Sequence, residues 1–411
     1  MRRFAAAYVA GLTALLVLTI IGGLVMYDDT GPADVVEAAA DQHGYDFLTW
    51  EIQHFPRKWI YKARHLLDER SAAEEEAALQ RYFVLVRELS GLQADPNAGE
   101  RLKEAETERA GLEAEVEDII EGRITGVLED EGLAMEPPIF SELGLIFPPV
   151  DFELDAPPRV LVVSPRDHIE LDRSFLLEPG LQRSEFEAVE RKAESENGLD
   201  EGVSALVVGT GGVATYPAVI SSSFAYEHLI DTAFHEWVHQ YLVFYPLGRS
   251  YFAGGETRTL NETVASLAGH DLARLYFERY PGLEREAEPA PAPSAVPGPS
   301  PSPAFDFTAE MRALRRRVED LLSQGQVAEA EALMNEKRDD FEGEGYVIRK
   351  LNQAYFAFHG SYGDSPGSID PIGPKLQQLL DGSRSPGEFV RRVSGVTSQA
   401  ELDRLLATLG G

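Results

Sequence analysis

A chain of 411 residues with a formal net charge of −32, 44% hydrophobic residues and no cysteine is long enough for more than one domain and has ordinary globular composition. Its negative charge repels nucleic acid and anionic lipid, which argues against both as partners. The absence of cysteine excludes disulfides, thiolate ligands and a lipoprotein anchor.

Taken in chain order, the first element is Phe4 to Met26, 23 residues without a charge. That length predicts a single N-terminal transmembrane helix, with a cleaved signal peptide as the alternative. Arg2 and Arg3 precede it, and no Lys or Arg occurs between Tyr27 and Pro56. The positive-inside rule then predicts a single-pass protein of the cell membrane, with its N-terminus cytoplasmic and its body extracytoplasmic. Residues 28–136 read as a helical region. Leu102, Leu112, Val116, Ile120, Ile124 and Val127 recur at helical spacing, as in an amphipathic helix or helical hairpin. Phe55-Pro56-Arg57-Lys58-Trp59 reads as a kinked helix start.

The texture changes near 136 to Pro-rich, strand-like sequence, in which Arg159 to Val163 is the clearest strand. Val203 to Val208 is a second apolar run, followed by Gly209-Thr210-Gly211-Gly212. An exposed strand edge beside a helix binds an extended peptide by adding it to the sheet. No Lys-Ser/Thr follows these glycines, so they form no nucleotide loop.

Tyr226 to Tyr245 contains no Gly or Pro and carries Leu229, Ile230, Phe234, Val238 and Leu242 at helical spacing, which predicts a helix ending before Pro246. It contains His235-Glu236-Trp237-Val238-His239. Residues four apart share a helix face, so both imidazoles can meet one ion while Glu236 points beside them at the ion's water. A catalytic zinc takes three protein ligands and keeps one position open. The third ligand is expected to be Glu262, in the first turn of a second helix from Asn261 to Tyr280, after a loop from Gly248 to Thr259. Ala265, Ser266 and Gly269 follow on the face near Glu262, and their small side chains allow the two helices to approach closely. Glu256, in the Gly-rich loop, is the fallback third ligand. His228, near the same face as His235, is expected to cap or pack.

Residues 286–304 are nearly all Pro, Ala, Ser, Gly and Glu, which predicts a disordered linker. Phe307 to Phe341 reads as a helical hairpin turning at Ser323-Gln324-Gly325-Gln326. Leu351 to Gly363 is aromatic and begins like a helix, and a short helical tail follows from Pro386. A tetrahedral intermediate needs an oxyanion donor, for which His359 and Tyr362 are candidates, packing roles being the alternative.

The two-histidine motif and the Asn-Glu-x-x-Ala segment from Asn261 to Ala265 resemble those of the gluzincins, the zinc metallopeptidases that include thermolysin-like proteases and the aminopeptidase N group. The resemblance spans residues 203–280. It implies one Zn2+ ligated by His235, His239 and Glu262, with Glu236 as general base and peptide or protein as substrate. Thermolysin-like enzymes carry an Asp four residues after the ligand Glu to orient a ligand histidine, where this chain has Ser266. Aminopeptidase N relatives carry a Gly-x-Met-Glu-Asn segment shortly before the zinc helix. The nearest string here, Gly132-Leu133-Ala134-Met135-Glu136-Pro137, is misspaced and far too early. The subfamily is therefore unassigned.

Together these features predict an α+β fold, with a zincin-like catalytic core of a small sheet plus active-site helix within a mostly helical frame. The expected segments are 1–27 membrane anchor, 28–136 helical region, 137–285 catalytic core, 286–304 linker and 305–411 C-terminal helical region. The expected function is a membrane-anchored zinc metallopeptidase. The alternative is a catalytically silent, zinc-stabilised scaffold tethered to the membrane; intact Glu236 favours the enzyme, since a structural site needs no general base.

Overall fold

The computed structural model describes residues 35–46, 49–50, 70–93, 95, 97–133, 146–195, 202–282 and 305–408. A short helix α1 (Val35–Asp41) precedes the long antiparallel pair α2 (Ala72–Gln93) and α3 (Gly99–Asp130). Then come β1 (Phe152–Asp155), β2 (Arg159–Pro165), β3 (Arg173–Leu177), α4 (Arg183–Ser195), β4 (Val203–Gly209), β5 (Gly212–Val213) and β6 (Ala218–Ser221). The histidine helix is α5 (Tyr226–Leu242), followed by a single turn α6 (Pro246–Arg249), a 3₁₀ turn (Tyr251–Ala253) and α7 (Gly255–Arg279). The C-terminal part comprises α8 (Phe307–Ser323), α9 (Val327–Gly343), α10 (Gln353–His359), α11 (Ile372–Asp381), α12 (Pro386–Val393) and α13 (Gln399–Ala407).

The strands form two small sheets. One has the order β1-β6-β5, with β1 parallel and β5 antiparallel to β6; the other is antiparallel, in the order β3-β2-β4. The second sheet is apolar on both faces because both are covered. Leu161, Val163, Val203, Ala205 and Val207 pack into a core with α1 and α4. The alternate residues Val162 and Leu206 meet Ala354 of α10 on the other face. This period-two division explains why β2 and β4 read as continuous apolar runs.

The outer edge of β4 is closed by side chains. The Ala205 and Val207 amides donate to Glu194 and Glu190 of α4, and their carbonyls accept from Lys350, Asn352 and Arg349. The backbone groups that would template an added strand are thus occupied. The expected exposed edge at Val203 to Val208 does not exist. In the same manner Glu117 and Glu121 of α3 accept from the Leu154 and Phe152 amides at the outer edge of β1.

The largest core joins α2, α3, β1, β6, α5, α7 and the C-terminal helices α11 to α13. The hairpin α8–α9 has its own core around Met311, Leu314, Val318, Met334 and Phe341, closed by Leu351 and Phe356. Its turn falls where Ser323 to Gln326 predicted it.

Two expectations are corrected. The expected α+β fold with a transmembrane helix gives way to a mostly helical chain with two small sheets; the helical frame was expected, but helix also occupies part of the expected loop, Gly255 to Thr259, and among the described residues no helix is fit to cross a membrane. The single-pass cell-membrane localisation is also overturned: among the described residues no helix is long and apolar enough to cross a membrane. The helices that reach the necessary length, α2, α3 and α7, carry charged side chains throughout. Phe4 to Met26, on which the expectation rested, lies outside the described residues, as do Phe55 to Trp59 and the linker 286–304.

Candidate metal centre

Helix α5 is clamped along its length. Its buried face carries Leu229, Ile230, Phe234, Val238 and Leu242, each contributing about 1.5–3 kcal/mol on burial. Trp237 Nε1 donates to Pro148 O at 3.0 Å, and Tyr226 shares a 2.8 Å hydroxyl contact with Tyr276 of α7. The crossing with α7 is close because Gly269 faces the backbone of α5. A Cβ placed there would come within 3.0 Å of His235 N and 3.2 Å of His235 Cα.

This approach brings His235, His239 and Glu262 together. The Nε2 atoms of the histidines are 3.0 Å apart, and Glu262 Oε2 lies 3.6 Å from His235 Nε2 and 3.3 Å from His239 Nε2. Among the described residues this is the one group of His, Asp and Glu donors able to hold a single metal ion. Donors held about 2.0–2.1 Å from a tetrahedral ion stand roughly 3.4 Å apart, and the three separations bracket that value. Asn261 Oδ1 lies 2.6 Å from His239 Nδ1. With Nδ1–H donating to Asn261, the Nε2 lone pair of His239 faces the other two donors, and such convergence of lone pairs suits a cation.

The electrostatics agree. Burial disfavours charge on His239, yet the Glu262 carboxylate outweighs it and holds this imidazole up at about 9. Burial would raise Glu262, but His239 and His235 hold it well below the usual carboxylate range. Glu236, only 6% exposed, is pushed upward by burial, with the histidines opposing in part. A buried carboxylate without a cation costs several kcal/mol, so the ionised Glu262 favours positive charge beside it.

Glu262 is in the second turn of α7 rather than the first, because α7 begins at Gly255. Glu256 does not join the cluster; it is exposed and accepts from the Gln399 amide. His228 packs against Phe224, with ring centroids 4.0 Å apart. His359 lies away from the centre, against Tyr355 and Phe358, while Tyr362 comes within 6.3 Å of the His235 ring. Tyr362 is placed by its neighbour: the Gly363 amide donates to Thr263 Oγ1 of α7 at 2.8 Å. Burial and the Glu262 charge raise Tyr362, so its phenol stays protonated.

Two residues of the site were not singled out from sequence. Tyr251 donates to Glu262 Oε1 at 2.5 Å, and burial and Glu262 keep it protonated. Asn261, rather than Ser266, orients His239. Tyr251 offered one signal, an aromatic in the segment joining two ligand-bearing helices. Asn261 offered its place directly before the ligand Glu262. On the opposite side, Gly212 of β5 lies against Glu236, where a Cβ would come within 2.7 Å of Oε1. β5 is an edge strand of its sheet, so a sheet edge borders the general-base candidate.

The chain matches no family model, no curated protein and no solved structure.

Proposed function

We propose that this chain is a zinc-dependent metallopeptidase. The observation that carries the proposal is the convergence of His235, His239 and Glu262 with the buried Glu236 carboxylate one residue along the same helix. The donor set of two imidazoles and a carboxylate is a common catalytic zinc set. The resemblance of the motif to gluzincins supplies peptide as the substrate class. A bound zinc contributes Lewis acidity, acidifying water and polarising a carbonyl.

The chain's own residues supply the remainder. Glu236 is the general base: its burial raises its affinity for a proton, which suits it to take one from the attacking water and later deliver it to the departing amine. Asn261 keeps His239 in the tautomer with Nε2 free to ligate. Tyr251 and Tyr362 are protonated phenols beside Glu262; Tyr251 gives its one hydroxyl proton to Glu262 Oε1, so Tyr362 is the candidate donor where an oxyanion develops.

The test is zinc per chain by elemental mass spectrometry, with cleavage of a peptide library measured alongside, for the parent, Glu262→Ala and Glu236→Gln. One zinc in the parent, most of it lost in Glu262→Ala, and zinc without cleavage in Glu236→Gln is the expected pattern. No zinc in the parent overturns the metal reading. Full cleavage by zinc-loaded Glu236→Gln overturns the role of Glu236, and zinc without cleavage in the parent leaves a silent zinc-stabilised protein.

A further inference from the structure

Arg258 stands one helical turn before Glu262 on α7, so the two side chains leave the same face with Cβ atoms about 5–6 Å apart. Between them lies Tyr251. Its hydroxyl bonds Glu262 Oε1, and the Arg258 Cζ atom is 6.0 Å from its ring centroid. Tyr251, and not Arg258, therefore bonds this carboxylate oxygen. Among the described residues the Arg258 guanidinium, half-buried, forms no ion pair and no side-chain hydrogen bond. In a chain carrying 69 acidic residues against 37 basic ones, a guanidinium one turn from Glu262 that pairs with no carboxylate of the described residues keeps its charge for an incoming anion. Beside the aromatic pair of Tyr251 and the exposed Phe252 it also has an apolar wall for peptide backbone.

From this we infer that Arg258 is the specificity residue of the centre and binds a substrate carboxylate, an inference that rests on the peptidase reading above. The guanidinium presents a planar fork matched to a carboxylate, which a lysine would not reproduce. An extended peptide advances about 3.3 Å per residue, so the recognised carboxylate belongs one or two residues from the scissile bond. It is either an acidic side chain or the C-terminal carboxylate. Arg258 acts on binding and does not touch the reacting carbonyl.

The experiment uses the full-length chain loaded with zinc, with zinc content and circular dichroism checked for each variant. Octapeptide libraries are made in matched pairs, internal Glu against Gln, and free C-terminus against carboxamide. The value of kcat/KM is measured for the parent, Arg258→Gln and Arg258→Lys. Affinity for the same labelled peptides is measured by fluorescence anisotropy on a Glu236→Gln background, with and without Arg258→Gln. The parent should favour the acidic member of one pair by about 10- to 100-fold, as expected of one charge-assisted hydrogen-bonded pair. Arg258→Gln should erase that preference, and Arg258→Lys should restore part of it. The pair that responds identifies side chain or terminus as the source of the carboxylate.

Cleavage without preference in the parent, or an equal preference in Arg258→Gln, overturns the inference and leaves the peptidase reading standing. Arg258-dependent binding without cleavage by the parent overturns the peptidase reading and leaves the anion site. Neither binding nor cleavage overturns both.

Discussion

At the residue scale the metal centre divides into side chains whose positions follow from helical spacing and side chains that arrive from elsewhere. His235 and His239 needed only a helix of 3.6 residues per turn to share a face with Glu236 beside them, and the absence of Gly or Pro from Tyr226 to Tyr245 was enough to predict that helix. Asn261 needed more. Its carboxamide reaches His239 because two helices cross, and with Nδ1–H donating to Oδ1 the Nε2 of this candidate ligand is left free. Partners of this kind are worth 10- to 100-fold in metal affinity. Asn261→Ala is therefore expected to weaken zinc binding about 10- to 100-fold with the fold intact, read by competition against a chromogenic chelator. Unchanged affinity would remove Asn261 from the site.

Among the elements, the pair α5 and α7 decides whether there is a site at all. Small residues at Ala265, Ser266 and Gly269 suggested close approach, and the structure puts Gly269 against the His235 backbone. Gly269→Val forces side-chain atoms into that contact. Overpacking of this kind costs about 1–3 kcal/mol, which exceeds the few tenths that valine gains over glycine in helix propensity. The variant is expected to unfold about 2 kcal/mol more readily in urea and to retain less zinc at equal free metal. A stable variant with full zinc would show that the crossing tolerates separation. The start of α7 was misplaced from sequence because Gly254-Gly255 reads as the middle of a loop. In the structure Gly254 is the N-cap and Gly255 the first helical residue, which puts Glu262 in the second turn and leaves Tyr251 free to reach its carboxylate.

Over the whole molecule, one imidazole set into the packing couples stability to pH. His359 sits at the end of α10, half-buried against Tyr355 and Phe358, and burial lowers it to about 4 from the usual 6.5. The unfolded chain takes up a proton on this imidazole that the native chain refuses. Its contribution to stability is thus complete above pH 6.5, falls as the pH drops, and levels off below pH 4. At pH 5 the loss amounts to about 2 kcal/mol. Urea unfolding at pH 7.5 and 5 should show the parent losing about 2 kcal/mol more than His359→Phe between those conditions; parallel losses would show that His359 titrates normally in the fold.

What the sequence determined by itself is local: the histidine helix, its Glu236, the Glu262-bearing helix after it, strands β2 and β4, and the hairpin α8–α9. Each rests on a period of 3.6 or 2, or on turn residues within one window, and such signals survive without knowledge of the rest of the chain. The Phe4 to Met26 segment was read on the same grounds and lies outside the described residues, among which no helix is long and apolar enough to cross a membrane. Tertiary structure decided the remainder, because the deciding contacts join distant positions. The edge of β4 is closed by Arg349, Lys350 and Asn352, about 145 residues onward. Tyr362 reaches the metal centre through a bond from Gly363 to Thr263, 100 residues back. A hydrogen bond leaves no periodic trace in the residues that make it, so these placements follow only from packing the helices and sheets against one another.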